Sequence, residues 1–234
     1  MTLNANVTSP LSMHEVRRLA PASLEVMQRH ADKSAIAAHS ATLVPMANGV
    51  LTAIQELDRL GGKQKALLAL SDEQTAQLHG LMLEWSGILV RDLASFDSEA
   101  YARNASLTFD VLQKAMSLKH FVEQEAAGLP YQEELRGELT ARIDSADGAS
   151  KTASGARVVL QEKQREVREL SASFNKGLIS LRRTVRTTLG SKHFDFHRLR
   201  VTSRAAAEPP LPEEETDAAS EVPSEGTSGP STTT

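Results

Sequence analysis

The chain has 234 residues, a formal net charge of −4 and no cysteine, which excludes disulfides, zinc–thiolate sites and thiol nucleophiles. Aromatic residues make up only 4% of it, and apolar residues that are mostly Leu, Ala, Val and Met favour helices packed on helices over sheets. About 200 residues are available for folding, enough for one domain with a substantial core. The first twelve residues have neither a basic start nor an apolar run, so we expect no secretory signal and a cytoplasmic protein.

One early stretch is long enough to raise the question of a membrane span. Residues 34–55, "SAIAAHSATLVPMANGVLTAIQ", contain no Asp, Glu, Lys or Arg over a length that can cross a bilayer. Polar residues dilute the stretch throughout, and Pro45 is expected to kink or break a helix there. The composition therefore predicts a buried helix rich in small residues, with membrane insertion as an alternative.

Helical periodicity dominates the first half of the chain. The first segment has apolar residues at three- and four-residue steps, and Gly61 and Gly62 are expected to end it. These apolar residues are Leu24, Met27, Ala31, Val50, Ile54, Leu57 and Leu60. "SDEQ" at 71–74 has the capping-box pattern and predicts a second helix that starts at Ser71. Its apolar stripe consists of Leu78, Leu81, Met82, Trp85, Ile88, Leu89 and Leu93.

Two more helical segments follow. "DSEA" at 97–100 predicts a cap for the third, whose stripe is Ala105, Phe109, Leu112, Met116 and Val122. The sequence Gly128, Leu129, Pro130 is expected to close it, with Pro130 starting the fourth. The fourth weakens at 144–157, "DSADGASKTASGAR", which predicts a bend or a site of close packing. A strong stripe then runs to a stop at Gly190: Val167, Leu170, Phe174, Leu178, Leu181, Val185 and Leu189.

These segments predict an all-α fold, an elongated antiparallel bundle of about four long helices. A helical hairpin that completes its core by dimerising is the alternative. The predicted organisation is a disordered N-terminus (1–12), a helical bundle (13–190), a basic extension (191–204) and a disordered acidic tail (205–234).

Charge is distributed very unevenly along the chain. Residues 1–156 have a net charge of −5, residues 157–204 have 12 Lys and Arg against 4 acidic residues, and residues 205–234 have 7 acidic residues and no Lys or Arg. On the last long helix the cations fall within about 120° of the circumference, beside the apolar stripe. The predicted partner-binding residues are Arg165, Arg168, Lys176, Arg182, Arg183, Arg186, Arg198 and Arg200.

Several interpretations of this basic face stay open. Cations near a helix C-terminus stabilise it against its dipole, so the face has a purely structural explanation. It also suits an acidic protein partner, non-specific binding of nucleic acid, or a membrane surface. The acidic tail is either a solubilising terminus or a competitor that folds back on the basic face. In the second case, deletion of residues 208–234 should tighten binding to DNA or heparin at low salt.

No pattern typical of catalysis is found. None of the seven histidines has a Glu three residues before it, which argues against a di-iron bundle site. His193 and His197 are placed to share a metal only if they lie on one helix turn, and no third ligand is evident. "GGK" at 61–63 lacks the rest of a phosphate loop. We therefore expect no enzyme activity, metal, cofactor or small-molecule substrate.

The function predicted from sequence is that of a helical scaffold or interaction protein. It would present its basic helix face to an acidic protein partner or associate with itself. A nucleic-acid-binding protein that uses the same face is the first alternative, and a membrane-active bundle that inserts residues 34–55 is the second.

Overall fold

A computed structural model describes residues 10–101 and 108–201, and every regular element in these ranges is an α-helix. The helices are α1 (Met13–Arg29), α2 (Ser34–Ala37), α3 (Ser40–Asp92), α4 (Ser98–Tyr101), α5 (Thr108–Gln124), α6 (Gln132–Leu189) and α7 (Phe194–Arg198). The all-α prediction is confirmed for this part of the chain. Most of the predicted disordered N-terminus, Ala105 and the whole predicted acidic tail lie outside the described residues.

Two long antiparallel helices organise the fold. α3 has 53 residues and α6 has 58, which corresponds to about 80 and 87 Å of helix at 1.5 Å per residue. Side-chain contacts at opposite ends show their antiparallel register: His39 lies 2.9 Å from Thr184, and Tyr131 donates to Asp92 at 2.5 Å. The predicted antiparallel packing is confirmed, although two of the predicted segments are parts of the same helix.

The predicted break at Gly61 and Gly62 is wrong. α3 runs through both glycines, and Ser71, predicted as a helix cap, is a buried residue in the middle of the helix. Each glycine lowers local helix stability by about 1 kcal/mol relative to alanine, but packing along α6 maintains the helix. The real interruption of the first segment lies earlier, between the end of α1 at Arg29 and the start of α3 at Ser40.

Neither Pro45 nor residues 144–157 end a helix. α3 continues through Pro45, and α6 continues through 144–157 without a break. In the latter segment the close packing comes from alanines, since Ala146 and Ala153 are buried. A Cβ placed on Gly148 or Gly155 would meet no atom within 4 Å, so these glycines do not serve close approach.

The buried face of α5 is displaced from the predicted one. Val111, Ala115, Leu118 and Val122 are buried, whereas Phe109 is 74% exposed and Met116 is 54% exposed. Both sets follow helical spacing, so periodicity alone could not choose between them. The buried face of α5 is the one that α3 and α6 cover.

Hydrophobic residues form two separate cores at the two ends of the α3–α6 pair. The proximal core is formed by α1, α2, residues 43–57 of α3, residues 167–185 of α6 and Leu199. The distal core is formed by residues 78–89 of α3, Phe96, α5, Ala126 and residues 135–146 of α6. The predicted stripe of α6 supplies five buried residues to the proximal core: Val167, Phe174, Leu178, Leu181 and Val185.

The two cores are joined by a segment we call the waist, residues 58–77 of α3 and 147–166 of α6. Its buried residues are small, namely Ser71, Thr75 and Ala153. Larger apolar side chains of the waist are exposed: Leu68, Leu70, Val158 and Val159. Among the described residues, no helix is both long enough and apolar enough to cross a membrane.

Candidate functional site: a cationic surface at the end of α6

The chain turns back on itself after α6. Gly190 ends the helix with φ +95°, a left-handed conformation that favours glycine, which confirms the predicted stop. We call residues 191–201 the returning segment, and α1 holds it in place. Arg18 donates to the backbone carbonyls of Arg198 at 3.2 Å and of Arg200 at 2.6 Å. The predicted basic extension, residues 191–204, is therefore folded against α1 as far as it is described.

A buried carboxylate joins α7 to the end of α1. Asp195 is fully buried, and its two oxygens accept from Arg29 at 2.7 Å and from His30 at 2.8 Å. Burial raises the pKa of Asp195, but the hydrogen bond from His30 and the charge and hydrogen bond of Arg29 outweigh it and hold that pKa below its ordinary value. The carboxylate is therefore charged at neutral pH and fixes the position of α7.

His193 completes this junction. Its Nδ1 accepts from the backbone N–H of Asp195 at 3.2 Å, so it caps the short helix α7. Its ring lies edge-on to that of His30, with centroids 5.5 Å apart. The imidazole that contacts His193 is thus that of His30, directly after α1, whereas His197, four positions from His193 in sequence, packs its ring against Phe196.

Three arginines lie close together where α6 meets the returning segment. The guanidinium carbon of Arg182 lies 4.9 Å from the ring centroid of Phe196, a cation–π distance. Burial lowers the pKa of Arg182, and the positive charges of Arg200 and Arg186 lower it further. Three cations therefore lie close enough to repel one another, although they come from two elements.

The predicted basic-face residues divide into groups. Lys176, Arg183 and Arg186 are exposed, and so is Arg200. Arg165 is also exposed and Arg168 is half-buried. With a rise of 1.5 Å per residue, both lie about 20 Å or more from Arg182 along α6. Arg198 is an internal residue of the junction, because it forms an ion pair with Glu25 of α1 at 2.5 Å.

An exposed isoleucine lies among the clustered cations. Ile179 is 38% exposed and follows Lys176 by three residues, so both lie on one side of α6. It precedes Arg182 and Arg183 by three and four residues, which places them on that side as well. We call Lys176, Ile179, Arg182, Arg183, Arg186 and Arg200 the cationic surface. Within the described ranges, Lys176, Arg183 and Arg186 form no salt bridge with an acidic side chain.

The chemistry of this surface suits an acidic ligand. Guanidinium groups bind carboxylates and phosphates through paired hydrogen bonds. The isoleucine adds an apolar contact that a purely charged ligand does not use. The sequence prediction missed Ile179 although its three- and four-residue spacing from the cations was visible. It also missed Arg18 and His30, because their contacts in this region lie more than 160 positions away along the chain.

Comparison of this chain with protein-family models, with curated proteins and with solved structures finds no match.

Proposed function

We propose that this protein is a non-catalytic interaction protein whose cationic surface binds an acidic amphipathic helix of a protein partner. The observation that carries the proposal is the position of Ile179, an exposed apolar side chain on the same side of α6 as Lys176, Arg182, Arg183 and Arg186. An amphipathic helix with an apolar residue flanked by Glu or Asp is complementary to this arrangement.

The energetic contributions of charge and apolar contact are comparable. An exposed ion pair contributes about 0.2–1 kcal/mol. Full burial of an isoleucine side chain contributes about 1.5–3 kcal/mol, so covering the 38% of Ile179 that is exposed contributes about 0.6–1 kcal/mol. The cations also increase the rate at which an acidic partner associates. Charge would thus select and steer the partner, and Ile179 would supply a contact that persists when salt screens the charges.

The extent of the surface supports a protein partner over a nucleic acid. The cations from Lys176 to Arg186 cover about 15 Å of helix, and the next basic residue of the predicted face, Arg168, lies about 12 Å before Lys176. Arg198 is already paired with Glu25. A non-specific nucleic-acid site uses a longer track of cations along the phosphate backbone.

Fluorescence anisotropy with labelled peptides and DNA tests the proposal on the full chain. The probes are a short helical peptide with leucines on one face flanked by glutamates, the same peptide with lysines in place of glutamates, and a single-stranded DNA of matched charge. Charge reversal of Lys176, Arg183 and Arg186 to Glu should weaken binding of the acidic peptide about tenfold or more, equivalent to at least about 1.4 kcal/mol. Arg182 is left intact because it stacks on Phe196.

The matched control reverses three exposed cations of the waist, Lys63, Lys65 and Arg157, to Glu. This control variant has the same net charge as the variant of the cationic surface, and it should bind the acidic peptide far better. Ile179→Ala should weaken the peptide complex and leave DNA binding unchanged. Equal losses in the two charge-reversal variants would contradict the proposal. DNA binding tighter than peptide binding, with no effect of Ile179→Ala, would assign the surface to nucleic acid instead.

A further inference from the structure

Two imidazoles and a carboxylate converge at the junction of α1 and α7. His30, His193 and Asp195 each offer one potential metal-ligand atom, and these atoms all lie within 4.8 Å of one another. His30 follows the end of α1, whereas the other two residues belong to the returning segment. Nothing in the cationic surface requires this convergence.

We infer that His30, His193 and Asp195 form a binding site for a divalent transition-metal ion, with Zn²⁺ as the ion that fits this ligand set best. Two histidines and one carboxylate are a known combination for a zinc site with three protein ligands and an open position. His30 is 14% exposed at its side chain and His193 is 37% exposed. Solvent can therefore reach the cluster and supply the remaining ligand.

The spacing of the ligand atoms fits a tetrahedral ion. Ligands about 2.0–2.1 Å from a tetrahedral zinc lie about 3.3 Å from one another. The Oδ2 of Asp195 lies 2.8 Å from Nε2 of His30 and 3.8 Å from Nδ1 of His193. These two distances bracket the expected one, and all three ligand atoms lie within 4.8 Å of one another, so side-chain rotations can bring them to a common ion.

The protonation states change in a defined way when the ion binds. Nδ1 of His193 is unprotonated and accepts a hydrogen bond from the Asp195 backbone, and its lone pair must exchange this hydrogen bond for the metal. Nε2 of His30 shares a hydrogen bond with Oδ2 of Asp195, and the proton in that bond must be released when both atoms bind the metal.

Arg29 has two opposing effects on the site. It donates to Oδ1 of Asp195, which leaves Oδ2 for the ion and fixes the orientation of the carboxylate, as residues around a metal's own ligands commonly do. Its positive charge repels the ion and lowers the affinity. Arg29→Gln keeps a hydrogen-bond donor and removes the charge, so it should bind Zn²⁺ more tightly than the wild type.

Metal binding would fasten the returning segment to α1. The site links residues more than 160 positions apart, and an ion that binds only the folded state stabilises it by mass action. The same segment supplies Arg200 to the cationic surface. The ion would thus hold one part of that surface in place without contacting a partner.

The site is tested by titrating the metal-free full chain with Zn²⁺ in a calorimeter and with Co²⁺ in a spectrophotometer. The wild type should bind one ion at this site and give the strong visible absorption of tetrahedral Co²⁺. His30→Ala and His193→Ala should each weaken binding about tenfold or more. His197→Ala is the matched control, since His197 lies one turn from His193 and outside the cluster, and it should retain wild-type affinity.

A second measurement uses only the wild-type protein, so it does not depend on whether the variants fold. In the wild type, Zn²⁺ should shift the histidine ring NMR signals of His30 and His193 and leave those of His197 in place. If the wild type bound Zn²⁺ no more tightly than the His30→Ala, His193→Ala double variant, the inference would be overturned. Ring shifts confined to His193 and His197 would also overturn it, because they would place the ion between those two side chains.

Discussion

The proximal core and the waist are built on the same two helices, yet they bury very different residues. In the proximal core α1, α2 and α7 pack on the α3–α6 pair, and Phe174 and Leu181 are fully buried. In the waist α1 reaches only the edge, where Arg17 pairs with Asp58, and Val158 and Leu68 stay exposed. Helix length and apolar content therefore do not locate a core; a third packed element does.

This difference has an energetic consequence. A fully buried leucine or phenylalanine contributes about 1.5–3 kcal/mol, whereas Ser71, Thr75 and Ala153 at the centre of the waist bury little apolar surface. Glycines at 61, 62, 148 and 155 weaken the waist helices further, by about 1 kcal/mol each relative to alanine. We expect the waist to open locally at a lower free energy than either core.

The largest expected contrast comes from truncating one side chain in each region. Phe174→Ala should reduce the free energy of unfolding by about 3–5 kcal/mol, because it removes a fully buried ring and leaves a cavity. Val158→Ala should change it by less than about 0.5 kcal/mol, since Val158 is 53% exposed. Urea denaturation followed by circular dichroism measures both. Similar losses in the two variants would show that the waist is covered in solution.

A glycine pair on α6 gives a smaller contrast. Gly155→Ala in the waist should stabilise the protein by up to about 1 kcal/mol, because the added Cβ meets no atom and alanine favours the helix. At Gly177 a Cβ would collide with Cδ1 of Leu43, which is buried in the proximal core. Gly177→Ala should therefore be less stable than Gly155→Ala by about 1–3 kcal/mol.

The same urea experiment compares the two alanine variants with the wild type. If Gly177→Ala stabilised the protein as much as Gly155→Ala, Leu43 would have room to move, and the proximal core would be packed more loosely than its buried residues indicate.

The smallest effect concerns the distal end of the helix pair. Tyr131 donates to Asp92 at 2.5 Å, and burial together with this hydrogen bond and the negative charge of Asp92 raises the pKa of Tyr131 to about 12. In an unfolded chain the tyrosine hydroxyl loses its proton at about pH 10. Between these values the folded state binds more protons, so stability should fall as pH rises.

The pH effect is measured as the change in urea midpoint between about pH 9 and about pH 11. Tyr131→Phe removes the titrating group and should show a smaller fall than the wild type. Identical pH profiles for the two proteins would mean that the hydrogen bond to Asp92 does not persist in solution.

Some elements could be predicted from local spacing because one face was favoured by many residues at once. The stripe from Val167 to Leu189 is such a case, and five of its seven members are buried. α5 shows the opposite situation: two overlapping sets of apolar residues have helical spacing, and the face with Phe109 and Met116 was the wrong one. Which face a neighbour covers is not a local property.

The candidate sites divide in the same way. The cations of α6 lie on one side because residues three and four positions apart on a helix are neighbours, so sequence could identify them. The pairing of Arg198 with Glu25 and the cluster of His30, His193 and Asp195 join α1 to the returning segment. No spacing rule relates residues so far apart.

The sequence by itself determined the helical class, the strong stripe and charge bias of α6, and the stop at Gly190, because these depend on periodicity and on backbone conformation within a few residues. Only the tertiary structure decided that α3 continues through Gly61 and Gly62 and that the core is divided in two. It also decided that the segment after α6 folds back onto α1. These outcomes depend on long-range packing, whose free energy exceeds local helix propensity wherever another helix covers the apolar face.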